Sequence, residues 1–277
     1  MAVIAVSRGS MGLGQRLAEN LASALGCPCI DREAVVQAAH RLGVSQDVMD
    51  KKMERVPTFW ERLTSDRKVY VMAMQSALMD QVAKGDCVYH SWAGHMLLLE
   101  IPVLRVRVVA PLEVRIPLAM ERERISRERA IEYIRKVDED RARWTRFIYG
   151  IDWADPALYD VALNLGVTSL ETACAVVKAM AERPEFSLEP VRERLPDFVL
   201  AARVRVALAS HPSTRALDLE VKAEKGTVTV AGTAEQASIS DAIERAFENE
   251  LRAVVLGVDG VTDVNLVIRP GYTGIID

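Results

Sequence analysis

Residues 2–6 of this chain, Ala-Val-Ile-Ala-Val, form an uninterrupted apolar run that stops at Ser7-Arg8-Gly9. A run of that length suits a strand covered on both faces, the usual situation in a parallel sheet. A helical stripe of Leu17, Leu21, Ala24 and Leu25 follows and reaches Gly26, a residue that ends helices by turning left-handed. The alternation then repeats. Residues 27–30, 87–90, 103–109 and 159–163 read as strands. Between them lie a helix opening at Asp31, one over 66–83 closed by Gly85, a highly charged helical stretch over 112–147, and a last helix over 169–181. This order predicts a parallel sheet with helices on both faces. Ligands of such sheets bind at the carboxyl ends of the strands. The loops after Val6, Ile30 and His90 are therefore where chemistry is expected.

Beyond residue 183 the pattern changes. Pro184, Pro190 and Pro196 stand among charged residues, so 184–197 reads as a linker. A helix over 198–209 follows, then alternating runs at 217–221 and 227–231 joined by Lys222-Ala223-Glu224-Lys225-Gly226, a hairpin signal. A helix over 238–255 and a strand over 261–268 complete this part, and 271–277 reads as a loose tail. The expected fold class is α/β: a parallel-sheet domain over 1–183 and a small α+β domain over 198–270.

Charge narrows the partners. The chain has 35 basic and 39 acidic residues, net −4; 27 and 28 of these lie at or before residue 197, and 8 and 11 after it. Neither part has the basic excess that a phosphate backbone demands, so no nucleic acid is expected. The N-terminus has no basic segment leading into a long apolar one, and no stretch approaches a membrane span. Cys27-Pro28-Cys29 lacks the spacing of a redox pair, and no second Cys/His pair sits at zinc-finger distance. Reduced thiols, a cytoplasmic location and no membrane partner are the expectation.

Gly9-Ser10-Met11-Gly12-Leu13-Gly14-Gln15-Arg16 follows the first strand and leads into a helix. Glycines in this setting let backbone N–H groups converge on phosphate oxygens, and the helix N-terminus adds partial positive charge. The spacing fits G-x-x-x-x-G-K-[ST] up to its second glycine, but Gln15 stands at the lysine and Arg16 at the hydroxyl position. Both losses touch chemistry more than binding, because the lysine neutralises transferring charge and the hydroxyl holds Mg²⁺. A tight βα turn that binds nothing is the competing reading.

Val6-Ser7-Arg8 with Gly12 and Gly14, then Leu17-Ala18-Glu19, Leu21-Ala22 and Leu25-Gly26, resembles the start of the cytidylate kinase-like family, I-S-R-x-x-G-S-G-G-R-E-I-A. Asp31-Arg32-Glu33 is similar to that family's D-[KR]-E, and Cys87-Val88-Tyr89-His90-Ser91-Trp92-Ala93-Gly94-His95 to its V-I-V-G-R-x-G-H. The likeness continues through residues 106–115, Asp138-Glu139-Asp140-Arg141 and Tyr159–Asn164, covering most of 1–182. It implies a P-loop kinase-like domain that moves phosphate from ATP, with Mg²⁺, to a nucleoside monophosphate or another small phosphorylated molecule. Two departures count against activity: Met11 replaces a loop glycine, and Trp92 replaces the arginine of G-R. An indole can stack or close a pocket but carries no charge for phosphate. Arg8 and Arg16 adjoin the loop and are candidates to compensate. The resemblance thus assigns Arg8, Gly9, Ser10, Gly12, Gly14, Gln15 and Arg16 to nucleotide binding.

Nine arginines lie between the fourth and fifth strands, from Arg115 to Arg146, interleaved with carboxylates. For most of them a solvated helix surface is the simpler reading. Asp138-x-x-Arg141 resembles the family's lid motif, which implies phosphate-clamping roles for Arg141 and Arg143. Asp31 is the carboxylate candidate, near the acceptor or metal, with N-cap of the next helix as the competing role. His90 and His95 read as packing or hydrogen-bonding groups rather than as bases.

Residues 198–270 resemble a BON domain through Val206-Ala207-Leu208, Gly226–Gly232 and Gly260-Val261-x-x-Val264. They contain no phosphate loop or titratable cluster, so a binding or assembly role is expected: self-association, or regulation through a partner. Two functions stay open, a phosphotransferase with a degenerate loop and a catalytically silent nucleotide or anion sensor signalling through the BON-like part.

Overall fold

The computed structural model describes residues 2–8, 11–40, 63–98, 100–234 and 241–270. Five parallel strands form the first sheet: β1 (Val3–Arg8), β2 (Cys29–Asp31), β3 (Cys87–Ser91), β4 (Leu104–Val109) and β5 (Val161–Asn164), in spatial order β2-β3-β1-β4-β5. The chain leaves β1 for β2 on one side, and later reaches β4 on the other. The strand order therefore reverses at β1, and its carboxyl end is the crevice where ligands of such sheets bind.

Strand β1 shows why the fold is three-layered. Val3 and Ala5 point into one core, with Val35 and Val36 of helix α2 (Arg32–His40) and Met74 and Leu78 of helix α3 (Leu63–Val82). Ile4 and Val6 point into the other, with Leu17 and Leu21 of α1 (Leu13–Leu25). That second core also holds Ala173 and Val177 of a later helix, 170–181. The period-2 geometry of a strand makes this division.

Strand β4 differs. Leu104, Val106 and Val108 are buried in the α1-side core, but Arg105 and Arg107 alternate with them on the opposite face. Arg105 is held by Asp160 through its backbone N–H at 2.8 Å and its guanidinium at 2.7 and 3.1 Å.

The charged stretch over 112–147 is two helices, α4 (Leu112–Glu123) and α5 (Arg127–Tyr149). Arg124 turns left-handed at φ 53°, and Ser126 caps α5 by accepting the Arg129 N–H at 3.4 Å. Helical periodicity on both sides concealed a break made by one residue's φ and one hydroxyl. The two helices share a cluster of their own, Ile116, Ala119, Ala130 and Ile134.

Helix α6 (Leu170–Ala181) ends the first unit. Segment 184–197, read as a linker, holds two short 3-10 turns, Pro184–Phe186 and Glu189–Arg194. Leu188 between them is fully buried in the α3-side core. Helix α7 (Leu195–Ser210) is apolar nearly all round, the pattern of a helix covered on every side. Leu195, Val199 and Val206 pack into that same core, while Leu200, Ala201, Val204 and Leu208 pack into the second unit.

The second sheet pairs β6 (Leu219–Glu224) antiparallel with β7 (Thr227–Ala234), and β7 parallel with β8 (Asp263–Pro270), reached through α8 (Asp241–Leu256). Strand β6 starts two residues later than the sequence pattern suggested and runs to Glu224. The turn is only Lys225-Gly226, with φ of 49° and 88°, the positive pair a two-residue hairpin requires. The tail 271–277 lies outside the described residues.

Candidate active site

The phosphate-loop candidate begins where β1 ends. Gly9 and Ser10 lie outside the described residues, as does the side chain of Arg8. Gly12 is left-handed at φ 90° and is the N-cap of α1, its carbonyl accepting the Arg16 N–H at 3.0 Å. That conformation needs glycine, and the helix start carries no side-chain cap, so its first-turn N–H groups favour an anion. Gly14 is buried within the same turn.

Gln15 and Arg16 are exposed. The Gln15 amide donates to Glu19 at 2.9 Å, one turn along the helix, so it lies along the outer face of α1. Met11 is 5% exposed, with its side chain in the cluster of the α4–α5 hairpin. Its backbone is left-handed at φ 42°, a conformation that a non-glycine residue keeps only when packing holds it. The methionine therefore joins the loop to the hairpin.

Asp31 ends β2 and caps α2, its carboxylate accepting the Ala34 N–H at 2.6 Å. Its strand register pairs it with His90. Next to it Arg32 turns inward toward the Tyr70 phenol. The Arg32 Cζ lies 5.9 Å from the centre of the Trp92 ring. Arg141 reaches the same ring from α5, its Cζ 5.3 Å from the centre, and is itself buried. Trp144 meets Trp92 edge-on at 5.6 Å. The Ser7 hydroxyl donates to the Trp92 carbonyl at 2.8 Å, tying the loop after β3 to the end of β1.

Arg143 is not part of this group. Two residues beyond Arg141, it is about 200° further round the helix, exposed and paired with Asp140. Asp138 instead joins Arg115 at 2.7 Å and Arg141 at 3.9 Å. Arg32, Arg115 and Trp144 are thus neighbours of the site that sequence reasoning passed over. In the sequence Arg32 stands out only as part of a motif, and Arg115 only as one arginine among nine. Their roles depend on contacts between elements far apart in sequence, which no spacing encodes.

Beside this group, Tyr159 donates its hydroxyl to the Trp153 carbonyl at 2.8 Å. Arg107 lies over both rings, 5.1 Å from Trp153 and 5.5 Å from Tyr159, and donates to the Ala154 carbonyl. His95 stacks edge-on against Tyr159 at 4.9 Å. Burial, with added repulsion from Arg105, lowers its pKa to about 4, so the ring is neutral at physiological pH. The thiols offer no nucleophile there: burial above all raises Cys29 to about 11 and Cys87 to about 12. Among the described residues no group of three or more His, Cys, Asp or Glu side chains could hold a metal ion, and no helix is long and apolar enough to cross a membrane.

Residues 3–167 match the model of the cytidylate kinase-like family. A cytidylate kinase of Ignicoccus hospitalis is 27% identical over 184 residues, which are 65% of this chain and 99% of that protein. The crystal structure of an uncharacterized protein from Eubacterium ventriosum superposes with a TM-score of 0.52 at 18% identity, covering 66% of this chain and all of the other. At that identity the likeness is one of fold.

Proposed function

Since the chain belongs to the cytidylate kinase-like family, we propose that its first unit transfers the γ-phosphoryl group of ATP to a nucleoside monophosphate or a related small acceptor. One observation carries the proposal: Arg141, on the helix hairpin over the sheet, meets Trp92 at the carboxyl end of β3, and the Ser7 hydroxyl ties that point to the end of β1. A hairpin arginine and the glycine-opened helix thus serve one crevice, as a phosphoryl-transfer site requires.

In this reading the N–H groups opening α1 cradle the ATP phosphates, with Arg8 and Arg16 supplying positive charge at the loop. Arg141 clamps phosphate from the hairpin side. Asp31 stands beside the acceptor while it caps α2. Mg²⁺ is a poorer fit to the protein itself. Arg16 occupies the place of its usual hydroxyl, one Asp31 oxygen is engaged by the Ala34 N–H, and among the described residues no group of three or more metal-ligating side chains stands by. The described residues build no seat for it.

Purified full-length chain with Mg-ATP should convert CMP, or another nucleoside monophosphate, to the diphosphate, followed by coupled ADP release. Absence of turnover with every common nucleoside monophosphate would remove the proposal. Gln15→Lys, which returns the missing charge, should raise turnover by about tenfold or more.

The Gln15–Glu19 bond favours a second reading, because it keeps the amide on the outer face of α1. In that reading the first unit binds nucleotide without turning it over, and the second unit, BON-like in pattern, passes the bound state to a partner. Calorimetric binding of ATP or CMP with no product formed would select it.

A further inference from the structure

Trp92 stands where the sequence resemblance has an arginine, and its indole is the meeting point of two cations from different elements. Arg32 arrives from the first turn of α2 and Arg141 from the hairpin, at 5.9 and 5.3 Å from the ring centre. The ring is held independently of both. Trp144 packs edge-on against it at an interplanar angle of 88°, and it rests on the α3-side core. Its carbonyl is fixed by Ser7.

An aromatic face attracts a guanidinium through its quadrupole, and the attraction grows as water is excluded. It does so without cancelling the charge, unlike a carboxylate. A third arginine at this position would instead repel both neighbours. We propose that Trp92 is a positioning residue that seats Arg32 and Arg141 side by side, so that both guanidinium groups can bind one phosphate-class anion, the phosphate of the acceptor. The seat replaces a direct arginine contact with two arginines spaced by a ring. The inference rests on the transfer reading only for the identity of the acceptor.

The test uses full-length chain labelled with ¹⁵N-arginine, with the side-chain Nε–H signals of Arg32 and Arg141 assigned from Arg32→Lys and Arg141→Lys. Both signals should be displaced upfield by the ring current in the parent and relax in Trp92→Leu. Inorganic phosphate, and separately CMP, should move both signals together along one binding curve. Affinity should weaken about threefold to thirtyfold in Trp92→Leu, the range a guanidinium–ring contact spans, and return to within about threefold in Trp92→Phe. A merely structural tryptophan would leave the two arginine signals uncoupled from the anion. The inference is overturned if phosphate moves neither or only one of them, a result the parent protein gives even should Trp92→Leu fail to fold. It is equally overturned if a folded Trp92→Leu binds as tightly as the parent. Coupled movement without any turnover would uphold the seat and remove the transfer reading. Turnover with an unchanged KM in Trp92→Leu would do the reverse.

Discussion

A Cβ added at Gly94 would fall 2.0 Å from Tyr89 Cε1 and 2.5 Å from the Ser91 hydroxyl oxygen. Tyr89 is among the fully buried side chains of the core, so its ring has nowhere to withdraw. Gly94→Ala should therefore cost about 2–3 kcal/mol, at the upper end of overpacking, measured by urea unfolding. Gly257→Ala, whose nearest atoms are 3.4 Å away, is the control and should stay within about 0.5 kcal/mol. Equal losses at the two positions would refute the steric account. His95, the next residue, makes a pH prediction. Only 3% exposed and with neither ring nitrogen hydrogen-bonded, it has a pKa of about 4 in the fold, against about 6.5 when unfolded. The unfolded chain thus takes the proton first. The stability tied to the neutral ring is complete above pH 6.5, falls as pH drops toward 4, and totals about 3 kcal/mol. His95→Phe should lose less stability than the parent across that window, and parallel curves for the two proteins would contradict the assignment. The motif around these residues is plain in the sequence, but whether His95 packs or hydrogen-bonds is decided only by the fold, which buries it with both ring nitrogens unpartnered. The tight fit of Gly94 against Tyr89 does not show, because it depends on how a 3-10 turn folds back over β3.

At the level of elements, Met11 links two pieces that sequence reading treats separately. Its side chain belongs to the hairpin cluster while its backbone belongs to the loop. Met11→Ala removes that packing, at about 2 kcal/mol or more for a buried methionine, and keeps the left-handed strain. Met11→Gly removes the same side chain but relieves strain of order 1 kcal/mol. The glycine variant should therefore be the more stable of the two, and both should speed amide exchange in α4 and α5. Exchange unchanged in the hairpin, or an alanine variant more stable than the glycine one, would show that methionine is no latch. Strand β1 and the stripe of α1 were legible because a single period governs each. The hairpin break was not, since Arg124 at φ 53° sits between two stretches of equal helical pattern. Of the two roles expected of Asp31, the structure shows the helix cap, its carboxylate accepting the Ala34 N–H.

Across the whole molecule, α7 decides how the two units behave. Leu195, Val199 and Val206 complete the first core while Leu200, Val204 and Leu208 complete the second. Arg203 pairs with Asp80 of α3 at 2.8 Å, and Arg205 with Glu100. Units joined by a polar linker unfold independently, whereas a helix that belongs to two cores transmits the loss of either to the other. The prolines between 184 and 196 read as a linker because Leu188 and Leu195 are diluted among charges, and only the packing reveals that they are core. A calorimetric scan of the full chain should therefore give one transition, with van't Hoff and calorimetric enthalpies equal. Val206→Asp places a charge in the first core alone and should split the scan into two, the first unit melting earlier. Val204→Asp, directed at the second core, should lower the second unit's melting instead. Two transitions in the parent chain would mean that α7 is merely adjacent to α3, and a signal from the second unit would then need another route to the loop after β1.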